Sequence, residues 1–232
     1  MCHFPEINYQ AEFVGLENKW VGVLPPSPRG LYTLLQNRHL VDEQFLDGIQ
    51  DMEELENEIF YCIDHYPEKS VSLERIFYLI QIWGGRAGRG LFIKQDFDWS
   101  VFSPAYTELV NVCRNIENLD GNTCEVVFSA ISSFIEKLRE IEYKGMGVAF
   151  ITKHTRFWMH RNLPDDMLPI YDSTFSNHIM HRGNSATLRD LPIFWRGMLQ
   201  KATIENISLT ALERQLFNHF QNPDDGRATR CD

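Results

Sequence analysis

The cysteines of the sequence are few, and their spacing indicates neither a metal site nor a disulfide framework. Five occur among 232 residues, and they are scattered: Cys2, Cys62, Cys113, Cys124 and Cys231. No C-x-x-C pair is present, which argues against zinc, an iron–sulfur cluster and a disulfide-rich secreted domain. His178 and His181 stand one helical turn apart, but no third ligand accompanies them. We therefore expect no cofactor, no metal and a reducing, cytoplasmic compartment.

Long apolar runs are also lacking. No segment approaches about 18 consecutive apolar residues, and residues 1–10 contain no basic cluster followed by an apolar stretch. The sequence thus indicates neither a membrane span nor a secretion signal. Hydrophobic residues make up 44% of the chain and aromatic residues 12%, which is enough for a large core. We therefore expect a globular protein.

An excess of basic residues, the usual mark of a DNA-binding protein, is missing from the chain as a whole. The 32 acidic and 22 basic residues give a formal net charge of -10, which at first argues against DNA. The acidic excess, however, lies in one segment, Asp42–Glu68, which has ten acidic residues and no Lys or Arg. Between Lys144 and Lys201, eight basic residues accompany four acidic ones. The net charge therefore does not exclude a DNA partner for the second half of the chain.

Apolar residues recur at steps of three and four in several stretches, which predicts a mainly α-helical protein. The clearest stripe follows a capping-box pattern at residues 122–125 and consists of Val127, Ile131, Phe134, Leu138 and Ile141; others run through residues 55–66 and 73–83. Ser103-Pro104 predicts the start of a helix that extends to about Asn118, because proline is favoured at the first helical position. Thr210–Glu213 predicts the start of a last helix, which ends before Asn222.

The sequence predicts three parts. Residues 1–40 form an N-terminal extension that contains short strand candidates, residues 41–221 form one helical domain, and residues 222–232 form a loose polar tail. No internal repeat is present. We expect the protein to be a monomer.

Residues 143–153 predict two helices joined by a glycine hairpin. Gly145 and Gly147 form a Gly-x-Gly turn directly after the strongest apolar stripe, and another apolar helix follows. The glycines can be a structural turn. Alternatively, their amides, together with those of the following helix, can hold a phosphate group.

Lys153 lies on the helix that follows the glycines. Its spacing places it on one face with Ala149, Arg156 and His160. A single lysine on such a helix can extend to solvent. Alternatively, Phe157, one turn further on, partly desolvates the amine, lowers its pKa and leaves some neutral amine that can attack carbon.

Asp172 follows Lys153 by nineteen residues, in the sequence Leu168-Pro-Ile-Tyr-Asp-Ser-Thr-Phe175. It occupies the usual capping position ahead of a helix that begins near Ser173. The carboxylate can be a structural cap only. The same position would also keep it ionised, so that it could stabilise a positive charge or take a proton from an amine.

These residues resemble a known family, the helix-hairpin-helix DNA glycosylases, and in particular the bacterial branch of the 8-oxoguanine DNA glycosylase fold. That family has a Gly-x-Gly hairpin, a catalytic lysine on the next helix, and a downstream aspartate at a helix start preceded by proline. The matching residues are Gly145 and Gly147, Lys153, and Asp172 with Pro169 before it. Lys153 lies one helical turn deeper than the lysine of most members, and residues 83–90 are similar to bacterial members. The resemblance covers about residues 103–220.

The resemblance implies a mainly α, glycosylase-like helical fold with a short irregular N-terminal segment. It also implies excision of a modified base from double-stranded DNA, with Lys153 and Asp172 as the catalytic residues. Its other implied residues are the DNA contacts Gly145, Gly147, Arg86, Arg89 and Arg156, and the base-pocket residues Phe157, Phe217 and Phe220. Phe157 and the other two aromatic residues can equally be core residues, and Arg86 and Arg89 can lie in a solvated loop.

The sequence leaves the excised base open. It can be 8-oxoguanine, as in DNA repair, or a bulky glucosylated hydroxymethylcytosine of phage DNA, as in antiviral defence; AP lyase activity can accompany base release. A second hypothesis is a non-catalytic helical interaction module, which uses the acidic face of residues 42–68 to bind a basic partner. That hypothesis gives Lys153 and Asp172 no role.

Overall fold

The computed structural model describes residues 1–7, 9, 49, 52–67, 71–84, 98–143, 146–183 and 185–221. Within these ranges the secondary structure is helical without strands, so the predicted mainly α-helical class is confirmed. The helices are α1 (Met52–His65), α2 (Leu73–Trp83), α3 (Trp99–Arg114), α4 (Gly121–Glu140), α5 (Val148–Met159), α6 (Ser173–His178), α7 (Leu191–Glu205) and α8 (Leu209–Gln221). A 3-10 turn, Leu188–Asp190, precedes α7. The strand candidates and the polar tail lie outside the described residues.

Helix α5 lies at the centre of the helical part. It packs against α1, α2 and α3. Ten of its twelve residues are buried, and the other two, Ala149 and Lys153, are partly exposed. A helix that is buried on nearly all sides belongs to a core. Ala149 and Lys153, four residues apart, therefore form the one strip of α5 that reaches solvent.

The remaining helices surround this centre in pairs. Helix α3 packs on α4, α1 on α2, α7 on both α4 and α8, and α6 on α8. The predicted stripe of α4 faces the core, because Val127, Ile131, Phe134 and Leu138 are at most 3% exposed. Ile141, the last member of that stripe, follows the end of α4 and is 36% exposed. The helical spacing was therefore a sound guide to the buried face of α4.

Two helices begin earlier than the sequence patterns predict. Helix α3 starts at Trp99 rather than at Pro104, because Asp98 caps it by accepting from the Ser100 amide at 2.9 Å. Helix α4 starts at Gly121, because Asp120 accepts from the Thr123 amide at 2.7 Å. In both cases an upstream aspartate supplies the cap, and the proline or capping-box pattern lies inside the helix.

The first residues of the chain pack on the outside of α6 and α7. The His3 amide donates to the Ile179 carbonyl at 2.8 Å. A Cβ atom at Gly197 of α7 would lie 2.4 Å from the Cys2 Sγ atom, so this contact requires glycine at position 197. No helix among the described residues is long and apolar enough to cross a lipid bilayer.

Candidate active site

Lys153 is held at the end of helix α2. Its Nζ atom donates to the Gly84 carbonyl at 3.3 Å and lies 4.6 Å from the centroid of the Phe150 ring. Gly84 is the C-terminal cap of α2, where unpaired helix carbonyls concentrate partial negative charge. The lysine therefore contacts groups that attract a cation but carry no full negative charge.

Glycine at position 84 allows this arrangement. A Cβ atom there would lie 2.6 Å from Cε1 of Phe150. Phe150 is 7% exposed and has little room to move away. The close approach of α2 to α5, and with it the Lys153 contact, therefore depends on the missing side chain.

Asp172 is the N-cap of helix α6, as the sequence predicts. Its Oδ1 atom accepts from the amides of Thr174 at 2.9 Å and of Phe175 at 3.2 Å. The side chain is partly buried. One carboxylate oxygen is thus fixed by the helix start, which orients the whole group.

A hydrogen bond joins the residue that precedes Lys153 to the residue that precedes Asp172. The Tyr171 amide donates to Oγ1 of Thr152 at 3.0 Å. Tyr171 directly precedes Asp172, and Thr152 directly precedes Lys153. The two charged groups act on each other through space, and neither makes a direct ion pair within the described ranges. The predicted catalytic roles of the two residues stay predictions.

The pKa values of the two groups are shifted toward each other. Burial lowers the pKa of Lys153, and the negative charge of Asp172 opposes that change. Burial raises the pKa of Asp172, against the Lys153 charge and the amides of Phe175 and Thr174. Both shifts favour the uncharged forms, so a proton can move between an amine and a carboxylate at a smaller free-energy cost than in water.

Arg156 does not lie on a DNA-contact surface, and this prediction is wrong. Its side chain is 0% exposed and ion-paired, with Nε 2.9 Å from Oε2 of Glu213 and Nη1 3.3 Å from Oε1 of Glu56. Glu56 also pairs with Arg214 at 3.0 Å. Helical spacing places Arg156 near the face of Lys153, but α5 is enclosed there by α1 and α8.

Phe157 is also a core residue rather than a base-pocket residue. It is 0% exposed, and its ring centroid lies 5.0 Å from that of Trp83 and 5.4 Å from that of Phe60. The burial of Lys153 comes from Phe150 and the end of α2 instead. The alternative that Phe157 packs in the core is the one that the structure bears out.

Phe217 and Phe220 of helix α8 are partly buried and lie next to the helix that Asp172 caps. Their ring centroids are 6.4 and 6.3 Å from that of Phe175, three residues after Asp172. Phe220 also stacks on His178, at 4.5 Å between ring centroids. Both aromatic residues therefore border helix α6, and their contact with a base stays a prediction.

The other predicted DNA contacts are only partly described. Gly147 is the exposed N-cap residue of α5, with open space around it. Gly145, Arg86 and Arg89 lie outside the described residues. Their roles stay predictions.

The acidic segment is not uniformly a solvent-exposed face. On α1, Glu53, Glu54 and Asp64 are exposed, whereas Glu56 is 4% exposed and pairs with arginine in the core. Glu58 pairs with Arg75 of α2 at 2.7 Å. Glu56 and Glu58 are therefore paired within the protein, so their charges do not belong to a face that could bind a basic partner.

Sequence reasoning missed a buried polar network beside Lys153. His154 lies within 2.7 Å of both the Gln81 amide and the Tyr106 hydroxyl, and Trp158 donates to that hydroxyl at 2.7 Å. Burial, and secondarily the Lys153 charge, hold the pKa of His154 well below its usual value. The neutral imidazole joins α5 to α2 and α3. Polar residues on a helix that is otherwise apolar on every side were the available signal.

Glu213 was also missed, since the local pattern predicts it as part of a capping box. The Ser208 hydroxyl accepts from the Ala211 amide at 3.2 Å at the start of α8, and Glu213 is fully buried. Its two oxygens accept from Arg156 and from the Ile170 amide. A buried arginine requires a carboxylate partner, but the sequence does not show that Arg156 is buried, so no local signal pointed to Glu213.

Comparison with known proteins gives no match: no family model, no curated protein and no solved structure is similar to this chain. Within the described ranges, no group of three or more His, Cys, Asp or Glu side chains could hold a metal ion.

Proposed function

We propose that the protein is a DNA N-glycosylase that flips a modified base out of double-stranded DNA and excises it. The observation that carries the proposal is the Tyr171–Thr152 hydrogen bond, which joins the residue before Asp172 to the residue before Lys153. A buried amine of lowered pKa near a carboxylate of raised pKa is an arrangement expected of functional sites.

In the proposed reaction, Asp172 and Lys153 act in sequence. The bond between the base nitrogen and the anomeric carbon breaks, and its electron pair leaves with the base. The Asp172 carboxylate stabilises the positive charge that develops on the sugar. The Lys153 amine, after passing its proton to Asp172 or to water, forms the new bond to that carbon. The bond between that carbon and the ring oxygen then breaks, the ring oxygen takes up the proton that the attacking nitrogen loses, and an imine forms. Loss of a 2′ proton and departure of the 3′ phosphate can then nick the strand.

The base and the DNA backbone need contacts beyond these two residues. Phe217 and Phe220 are proposed to stack on the extruded base, because they border the helix that Asp172 caps. Gly147 is exposed and is proposed to approach a phosphate. Arg86 and Arg89 retain the phosphate-binding role that the family resemblance implies.

The excised base belongs to one of two classes, 8-oxoguanine or a bulky modified cytosine such as glucosylated hydroxymethylcytosine. Two substrates separate them: a synthetic duplex with one 8-oxoguanine, and phage DNA that carries glucosylated hydroxymethylcytosine. The released base is identified by mass spectrometry. The first class indicates repair, and the second indicates defence against phage.

Borohydride trapping tests the covalent step. The wild-type protein is expected to form a protein–DNA adduct with the substrate that releases a base, and Lys153→Gln is expected to form none. Lys137→Gln is the matched control, because Lys137 is a surface lysine paired with Glu108. An adduct of normal yield with Lys153→Gln would reject the imine. Full base release by Asp172→Asn would show that excision does not need the Asp172 carboxylate, which would then serve only as a helix cap.

A further inference from the structure

Thr152 occupies a position in which its hydroxyl can act on both candidate catalytic residues. The side chain is fully buried on α5, immediately before Lys153. Its Oγ1 atom donates toward the carbonyls of Val148 at 3.0 Å and Ala149 at 3.2 Å. With the hydroxyl proton directed to its own helix, the lone pairs of the oxygen point outward, and the Tyr171 amide binds there.

The segment that leads to Asp172 is fixed by consecutive contacts with buried side chains. The Pro169 carbonyl accepts from Nε1 of Trp195 at 2.9 Å. The Ile170 amide donates to Oε1 of Glu213 at 2.6 Å, and the Tyr171 amide donates to Thr152. Of these contacts, the one to Thr152 is the last before Asp172 and the only one of the three made by α5, the helix that bears Lys153.

We propose that Thr152 is a positioning residue, whose hydroxyl sets the distance between the Asp172 carboxylate and the Lys153 amine. The proposal rests on the glycosylase function proposed above. Thr152 and Tyr171 directly precede Lys153 and Asp172. A change in the length of their hydrogen bond would therefore displace both proposed catalytic residues, through one peptide bond on each side. A displacement of about 1 Å at a reacting group can reduce the rate roughly 100-fold.

Thr155 supplies a matched control on the same helix. It is also fully buried, and its hydroxyl donates to the Thr152 carbonyl at 2.9 Å. No hydrogen bond joins its side chain to the 169–172 segment in the described structure. Thr155→Val therefore removes a comparable buried hydroxyl without releasing the Tyr171 amide.

The test compares Thr152→Val, Thr152→Ser and Thr155→Val. We expect Thr152→Val to lower kcat for base release by roughly 10- to 100-fold with little change in KM. Thr152→Ser keeps the oxygen and is expected to restore most of kcat, and Thr155→Val should stay within about 2-fold of wild type. Equal losses in Thr152→Val and Thr155→Val, or no rescue by serine, would overturn the proposal.

A second measurement separates this proposal from the glycosylase function itself. The Lys153 pKa is obtained from the pH dependence of its labelling by an amine-reactive reagent, without DNA. Because Asp172 raises the pKa of Lys153, a looser Asp172 in Thr152→Val lowers it, whereas Thr155→Val leaves it unchanged. An unchanged Lys153 pKa in Thr152→Val rejects the positioning role. A lowered pKa in a protein that releases no base supports positioning and rejects the function.

Folding of the variants is checked by circular dichroism before either measurement. If Thr152→Val does not fold, Thr152→Ala and Thr152→Ser replace the comparison, because both are smaller than threonine and differ by one hydroxyl. A difference between them in kcat and in the Lys153 pKa supports the proposal. Identical values contradict it.

Discussion

Helix α5 carries two basic residues one turn apart, Lys153 and Arg156, and their surroundings shift their pKa values in opposite directions. Arg156 is fully buried between Glu213 and Glu56, whose charges outweigh burial and raise its pKa. Lys153 reaches the partly exposed strip of α5 and contacts a carbonyl and an aromatic ring, and burial lowers its pKa. The same helix thus holds one charge in place and leaves the other incompletely compensated.

The difference separates a structural charge from a chemical one. A buried cation with carboxylate partners contributes to a unique arrangement of helices, and removing Arg156 would take away the ion-pair partner of Glu213, whereas Glu56 would keep Arg214. A cation whose environment disfavours its charge gives up its proton more readily, and the neutral amine that results can react as a nucleophile. Variants of the two residues should therefore affect different properties of the protein.

The largest expected effect is on stability, from Arg156→Met. Loss of the guanidinium leaves Glu213 and Glu56 buried without it, and we expect the free energy of unfolding to fall by about 3–5 kcal/mol. Lys153→Met should change it by no more than about 1 kcal/mol. Urea unfolding followed by circular dichroism measures both. Arg196→Met, which removes an exposed pair with Glu125, is the control with an expected change below about 1 kcal/mol. Similar losses of unfolding free energy for Arg156→Met and Lys153→Met would contradict the distinction between a structural charge at Arg156 and a chemical one at Lys153.

A smaller effect is expected from Gly84→Ala, which acts on the Lys153 side of the comparison. The new Cβ atom would meet Phe150, and such overpacking costs about 1–3 kcal/mol. Gly121→Ala at the start of α4 has open space and should be neutral or slightly stabilising. Thermal unfolding measures both variants. A neutral result for Gly84→Ala would mean that α2 and α5 can separate without cost.

The smallest expected effect is a change in the Lys153 pKa when Asp172 loses its charge. Asp172 favours the ammonium form, so Asp172→Asn should lower the pKa of Lys153 further, and more neutral amine should be present at a given pH. The asparagine oxygen can still accept from the Thr174 and Phe175 amides, which preserves the cap. The pH dependence of amine labelling measures the pKa. Glu205→Gln, which removes the partner of Lys201, should leave it unchanged. A rise in the Lys153 pKa would contradict the assigned interaction.

Residue types and local spacing were sufficient to predict Asp172 as a helix cap. They were also sufficient for the helical class, because apolar stripes at steps of three and four mark the buried faces of α1 and α4. These features depend on residues within a few positions of one another, which a sequence displays directly.

The environment of Arg156 and Phe157 could not be read in the same way. Spacing shows that residues share a helical face, but not which neighbour covers that face. For Arg156 the partners lie 57 and 100 positions away along the chain. Glu213 fits a local capping pattern and is instead the counter-ion of Arg156, since the requirement of the buried charge outweighs a local preference at the helix start. Long-range pairing was the missing information.

The hydrogen bond from Glu213 to the Ile170 amide has a consequence for the order of events during synthesis. Glu213 belongs to the last described helix, so the segment that orients Asp172 lacks one of its tethers until α8 has left the ribosome. Lys153 and its helix emerge earlier, without a fixed carboxylate opposite them. In a nascent chain, Asp172 is therefore expected to be oriented late, after the other described helices have emerged.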